Sequence, residues 1–263
     1  MTDRSSHSSS GSSASDSDAL DPEFDGSEPW EAHARWWQDE FTDGVDPEYT
    51  EQILPLVAAG IPSGGVVVDV GCGEGQVARV LSEGRRVISV DPAWAQVSVG
   101  TGRGGGPAYL QGSATHLGVR SGTADSAVAC LVFEHIPDVD AALAEVARVV
   151  RPGGTFLFLL NHPLLQTPGS GWIDDQIIEP PEQYWRVGPY LPEADTIEQV
   201  EKGVFIRFFH RPLSRYLNAA RAAGFVLEEM TEPAPPAGFL ARAPEYPDAA
   251  SIPRLLALRF TRV

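Results

Sequence analysis

The chain has 263 residues, 43% of them hydrophobic, and a formal net charge of −17. That length and apolar content suit one α/β domain with an appended tail, while the negative charge repels phosphate backbones and anionic bilayers, so neither nucleic acid nor membrane is expected as a partner. Two cysteines, Cys72 and Cys130, make no disulfide framework or metal-ligand spacing, no apolar run spans a bilayer, and the first residues lack the pattern of a signal peptide, which together favour a cytoplasmic setting.

Residues 1–28 are rich in Ser, Asp and Gly and poor in large apolar side chains, too poor to offset the entropy of ordering, so a disordered tail is expected there. Order is expected from about Trp30, with residues 29–263 as one domain. WEAHARWWQDEF reads as a helix, and a second runs from about Pro47 to Ala59; together they make an N-terminal helical cap over residues 29–60. From Val66 buried strands alternate with helices. Val66–Val70 is an apolar run bounded by glycines, as in a strand covered on both faces. Val77, Val80 and Leu81 mark the helix that follows. Further strands are expected at Arg86–Val90, Ala108–Gln111, Ser126–Leu131 and Thr155–Leu160. Before the last of these, a helix carries Leu143, Val146, Ala147 and Val150 on one face. The rhythm then fails from residue 161 to 211, a Pro- and aromatic-rich insertion. It resumes with a helix near Ser214–Ala223, a strand at Phe225–Glu229, a Pro-rich loop and a last strand at Leu255–Val263. The alternation predicts a Rossmann-like, doubly wound α/β fold with a mostly parallel sheet.

The most informative segment is VVVDVGCGEG, Val66 to Gly75. Gly71, Gly73 and Gly75 fall at the turn from the first strand into a helix, where absence of a Cβ lets the backbone turn sharply and lets a ligand approach. Asp91 ends the second strand, where a carboxylate can accept hydrogen bonds from ribose hydroxyls. A nicotinamide dinucleotide site is the alternative, but its fingerprint is G-x-G-x-x-G, and here Gln76 stands where the third glycine would be. Asp69 would repel a pyrophosphate and suits a cationic sulfonium with an amino-acid tail.

Residues 66–160 resemble the class I S-adenosylmethionine-dependent methyltransferases, in particular their small-molecule, type 11-like branch. VVVDVGCGEG is similar to that family's first motif and VISVDP to its acidic second. ADSAVACLVFEHIPD resembles its fourth strand and loop, and VARVVRPGG with TFLFLL its next helix and fifth strand. RPLSRYLNAARAAGFVLEEMTEP and the final strand match the last helix and β-hairpin more loosely. The resemblance implies a seven-stranded sheet with an antiparallel last strand, and S-adenosylmethionine as methyl donor to a small-molecule acceptor. It also implies roles. Gly71, Gly73 and Gly75 would line the methionine part and Asp69 would sit near its amino group. Asp91 would hold the ribose, and Pro92 would pack on the adenine. Ser113 and Ala114 would lie near the adenine, Ser113 standing where many members have Asp, and Leu131 would border the sulfonium.

Methyl transfer from a sulfonium needs mainly positioning and exclusion of water, with a general base only where the acceptor must lose a proton. Residues beyond the strand ends are the candidates: His135 and His162 for catalysis, and Trp37, Asn161, His162 and His210 for the acceptor. Glu134-His135 can equally be loop-fixing, and His210, amid Phe205, Phe208 and Phe209, can equally be packing. Trp36, Trp172, Tyr184, Trp185 and Tyr190 read either as ordinary packing or as an aromatic wall, and the insertion as a lid together with the N-terminal helices. No zinc, iron or calcium ligand set is present in the sequence. A non-catalytic, regulatory protein binding the same donor is the rival, since fold does not determine function.

Overall fold

The computed structural model describes residues 28–242, 244 and 246–263. The expected tail, residues 1–28, lies outside them except for Glu28, which opens the first helix.

Seven strands form the main sheet. They are β1 (Val66–Val70), β2 (Arg86–Asp91), β3 (Ala108–Gln111), β4 (Ala124–Cys130), β5 (Val150–Asn161), β10 (Phe225–Thr231) and β11 (Leu255–Arg262), in the order β10-β11-β5-β4-β1-β2-β3. β1 pairs in parallel with β2 and β4, and β4 with β5, whereas β11 runs antiparallel to both β5 and β10. The chain leaves β1 toward β2 and β3 on one side and returns to β4 and β5 on the other. The order therefore reverses between β1 and β4, and a crevice opens beyond their carboxyl ends, where ligands bind in open α/β sheets.

The two-residue repeat of the strands sorts side chains to two cores. Val68, Val70, Phe156, Phe158 and Leu160 face α6 (Val139–Val149) and α7 (Leu213–Ala222), meeting Leu143, Val146, Tyr216 and Ala220. Val67, Val128, Leu157 and Leu159 face the other way, toward α3 (Leu54–Gly60) and α4 (Gln76–Leu81), meeting Ile53, Val57, Val77 and Leu81. The same alternation puts Asp69 on the α4 face, at the end of β1. Asp138 starts α6 by accepting the Ala141 N–H at 2.9 Å, a side-chain cap for an otherwise unpaired donor.

Several elements depart from the expected ones. The first helix is two pieces, α1 (Glu28–Ala32) and α2 (Ala34–Phe41), and the second contains a π-helical turn at Tyr49–Ile53 before α3. Between β2 and β3 stands α5 (Trp94–Arg103), which the sequence analysis passed over; its WAQVSVGTGR holds two glycines and two valines, all poor helix formers. A contact overrides that propensity. Gly100 abuts Tyr109 of β3, and a Cβ there would stand 2.5 Å from the ring.

The insertion is not irregular. It folds as two antiparallel hairpins, β6 (Gly171–Asp175) with β7 (Glu182–Arg186), and β8 (Ala194–Glu201) with β9 (Val204–His210). At the start of β9 Val204 and Ile206 are buried while Phe205 stays half exposed, and at its end Phe209 and His210 are both buried. The Pro-rich loop after β10 carries α8 (Ala237–Leu240) and a short 3₁₀ turn. Among the described residues no helix is long and apolar enough to cross a membrane.

Phe158 sits at the centre of the larger core, fully buried, with its ring centroid 4.7 Å from that of Phe133, 5.3 Å from Phe156 and 5.8 Å from Tyr216. Phe158→Ala is expected to cost about 3–5 kcal/mol of stability, read as a lower urea midpoint with an unchanged slope.

Candidate functional site

The cleft beyond β1, β2 and β4 encloses about 920 Å³ of empty space, part of it open to solvent, on the scale of a small-molecule site. The glycine turn forms its floor. Gly71, Gly73 and Gly75 have φ of +69°, +54° and +87°, values that side chains with a Cβ rarely adopt. Space is short as well: a Cβ on Gly71 would stand 2.5 Å from Val132 and one on Gly75 2.1 Å from the Tyr109 hydroxyl. Glu74, between them, is 1% exposed and pairs with Arg79 at 2.8 Å and Arg103 at 3.0 Å; Arg103 also pairs with Asp43 just past α2, at 2.6 Å.

Asp91 accepts the Gly73 N–H at 2.8 Å and the Ala93 N–H at 2.9 Å, one on each carboxyl oxygen. It therefore shapes the glycine turn as well as facing the cleft. Burial pushes its carboxyl up to about 6, against the pull of those two N–H groups. Asp69 is 1% exposed, and its Oδ2 has no hydrogen-bond partner. Burial, with the Asp91 charge added, pushes it up to about 8. A buried carboxyl without a partner is costly unless it is protonated or neutralised by a cation. The pair therefore fits a ligand carrying positive charge and hydroxyl donors, as S-adenosylmethionine does: Asp69 would face the amino-acid end and Asp91 the ribose. Pro92, Ser113 and Ala114 line the adjoining wall. So does Leu131, whose φ of +56° is a strained value for a branched residue.

Over the other side stand Trp30 and Trp37 of the N-terminal helices, with Tyr49, Val132, His135 and Ile136. Trp37 stacks on Phe41 at 4.4 Å. The helices are held by polar contacts, Glu31 accepting the Ala95 N–H at 3.1 Å and Gln38 donating to the Gln96 amide oxygen at 2.9 Å. His135 is half-buried, edge-on to Trp30 at 4.8 Å and against Phe208 at 4.7 Å. Its Nδ1 lies 2.9 Å from the Arg207 carbonyl oxygen, which can only accept, so Nδ1 carries the proton. Burial holds its pKa down at about 4.

Three expected acceptor residues do not line the cleft. His162 is buried, its Nδ1 accepting the Leu164 N–H at 3.1 Å and its Nε2 donating to Glu232 at 2.8 Å, so both nitrogens hold the loop after β5. Asn161 donates through its backbone and side-chain nitrogens to Glu134 Oε1, at 3.0 and 2.8 Å. His210 is 2% exposed, and its Nε2 donates to the Tyr190 carbonyl at 2.8 Å. Trp36 also turns away, donating to Glu201, and Trp172 stacks on Tyr246 at 4.8 Å, apart from the cleft. No residue of the insertion lines the cleft. The insertion backs the loop after β4 instead. Arg211, 4% exposed, donates to the carbonyls of Phe133, Ile136 and Pro137 at 3.1, 2.8 and 2.7 Å. The cleft residues that sequence reasoning missed, Trp30, Tyr49, Cys130 and Ile136 among them, carry no motif of their own. Their signal is only proximity to strand ends or to the first helix. Among the described residues, no group of three or more His, Cys, Asp or Glu could hold a metal ion.

A seven-stranded sheet of this order, with a glycine turn after β1 and an acid ending β2, defines a class. This architecture is the fold of the class I S-adenosylmethionine-dependent methyltransferases, whose methyl donor is S-adenosylmethionine. Residues 68–158 match the family model described as a methyltransferase domain. An S-adenosylmethionine-dependent methyltransferase from Mesorhizobium loti superposes with a TM-score of 0.67 at 26% identity, covering 79% of this chain and 96% of that one. Malonyl-[acyl-carrier protein] O-methyltransferase of Serratia marcescens is 36% identical over 108 residues, 40% of this chain and 42% of that protein. Demethylmenaquinone methyltransferase of Thermobifida fusca (strain YX) is 31% identical over 149 residues, 50% of this chain and 61% of that protein. The alignments thus span about half the length of these curated relatives.

The two raised carboxyls give a pH signature. The folded protein holds their protons more tightly than the unfolded chain, so their stabilising effect is complete in acid and is lost as pH rises through the folded values. Of these two, Asp69 is the one that titrates between about 6.5 and 8, because Asp91 titrates at about 6; His135, lowered from 6.5 to about 4, acts oppositely only below that window. Ligand-free stability is therefore expected to fall across that window by at most about 1.4 kcal/mol per pH unit. Asp69→Asn should flatten the decline, as read by urea denaturation at the two ends of the window.

Proposed function

We propose that this chain transfers the methyl group of S-adenosylmethionine to a small organic acceptor. The observation that carries the reading is Asp69, a buried carboxyl with an unpaired oxygen, set beside a glycine turn that Asp91 ties down. The donor supplies a methyl bound to a positively charged sulfur, so the leaving group is already in place. The residues of the chain bind, orient and exclude water. The N-terminal helical segment, through Trp30 and Trp37, closes the acceptor side, and the hairpins of the insertion brace it from behind. A nicotinamide dinucleotide fits less well, because its pyrophosphate would meet two carboxyls.

The acceptor does not follow from the relatives. Proteins named for a malonyl-[acyl-carrier protein] and for demethylmenaquinone are both similar to this chain over half of it or less, and their names point to different acceptors.

Calorimetric titration with S-adenosylmethionine tests the reading. Asp91→Ala is expected to weaken binding about 10- to 100-fold, from lost hydrogen bonds to the ribose and a loosened glycine turn. Unchanged affinity in a correctly folded variant would sink the assignment. Mass spectrometry of a metabolite extract incubated with donor and protein then identifies the methylated product.

A further inference from the structure

We propose that the acceptor is an uncharged aromatic molecule bearing an acidic O–H or N–H, and that His135 Nε2 takes its proton. The inference rests on the methyltransferase reading and adds the acceptor's chemical class.

The first observation concerns the proton on His135. Its Nδ1 faces the Arg207 carbonyl at 2.9 Å, and a carbonyl cannot donate, so Nδ1 is the N–H and Nε2 holds the free lone pair. The two ring nitrogens point in divergent directions. With Nδ1 turned to β9, Nε2 is turned away from β9, and His135 lines the cleft. Trp30 and Phe208 pack against the ring and hold its orientation. A neutral imidazole with its lone pair directed from its anchor is a proton acceptor whose orientation is already fixed.

The second observation is charge. Among the described residues that line the cleft there is no arginine or lysine; its charged groups are Asp69, Glu74 and Asp91. Arg211, nearby, is occupied by the carbonyls of Phe133, Ile136 and Pro137. The donor carries a sulfonium, an ammonium and a carboxylate, a net charge of about +1, against two carboxylates at Asp69 and Asp91. No positive charge is left over for a carboxylate or phosphate on the acceptor, and an unpaired anion in such a cleft is costly. The walls on this side are the rings of Trp30 and Trp37, whose centroids lie 5.5 Å apart, with Ile136. They suit an aromatic guest.

In the step this implies, the acceptor's proton passes to Nε2. The electron pair left on oxygen or nitrogen forms the bond to the methyl carbon, the pair of the broken carbon–sulfur bond stays on sulfur, and the imidazolium releases its proton to solvent.

The test uses the full chain saturated with S-adenosylhomocysteine and a matched pair of probes, 2-naphthol and 2-naphthoate, followed by tryptophan fluorescence. 2-Naphthol should bind at least about tenfold more tightly. His135→Phe keeps a ring between Trp30 and Phe208 but removes Nε2; it should weaken 2-naphthol binding about tenfold, by loss of the acceptor for its O–H, while the affinity for S-adenosylhomocysteine stays unchanged. Nitrogen chemical shifts of the His135 ring in the unliganded wild-type chain should show the proton on Nδ1, a measurement that stands even if His135→Phe does not fold. Equal or tighter binding of 2-naphthoate, an unaltered affinity for 2-naphthol in a folded His135→Phe, or a proton on Nε2 would each overturn the proposal. Calorimetry with S-adenosylhomocysteine on the same preparation tests donor binding by itself, so a failure there is distinguishable from a failure of the acceptor class.

Discussion

Asp69 and Asp91 stand buried at the carboxyl ends of adjacent strands with no cationic side chain to neutralise them. Burial raises both, and the Asp91 charge raises Asp69 further. A fold tolerates such a pair only where the backbone is held rigidly enough that neither carboxyl can swing out to water. Here the rigidity comes from the sheet. Asp69 is flanked by β2 and β4, paired with Ser89 on one side and Val128 on the other. Asp91 is pinned by two N–H groups, one of them from the glycine turn itself. The ligand-free protein relieves the remaining cost by holding protons, and a cationic ligand would relieve it by supplying charge. Binding and protonation are then alternatives at one place, and the affinity for a cation follows from what the empty site lacks.

The opposite wall depends on a different constraint. The loop after β4 carries Leu131 in a left-handed conformation and turns several backbone carbonyls toward the insertion. Arg211 satisfies three of them from a nearly buried position between the rings of Phe209 and Tyr216, 5.3 and 5.9 Å from their centroids. Glu134 fixes the same loop to the end of β5 through Asn161. Arg211 Nε and Glu134 Oε2 are left without a hydrogen-bond partner, and buried charges held this way specify a conformation more than they stabilise it. The insertion thus acts on the cleft at one remove, by holding the loop that carries His135.

How far the sequence revealed this depends on what kind of signal each part leaves. The central strands were legible because burial on both faces writes continuous apolar runs such as Val66–Val70, and Gly71, Gly73 and Gly75 were legible because only glycine fits three left-handed turns. α5 was not, since the glycine its packing requires, Gly100, is explained by Tyr109, a residue on the neighbouring strand. The hairpins of the insertion were missed because one face of β8–β9 leaves apolar residues such as Ile197 and Phe205 exposed, which blurs the alternation that marks a strand. His162 and His210 drew notice as chemically able side chains, but hydrogen-bond partners far along the chain, Glu232 and the Tyr190 carbonyl, determine that they hold structure. Trp30 left no motif, and only the packing of α1 against the loop after β4 brings it to the cleft.

The division of labour follows from where these parts lie in the chain. Residues 68–158, the segment matched by the family model, contain Asp69, the glycine turn, Asp91 and His135 itself. The surroundings of His135 come from outside that segment: Trp30 from α1, and Phe208 and the Arg207 carbonyl from β9. The tautomer and basicity of His135 can therefore change without any change in the segment that contains it. What sets its state is a backbone carbonyl in a hairpin, and a carbonyl is supplied by any residue type. Its presence is written in the register of β9 against the loop after β4, a property of the folded chain that local sequence does not encode.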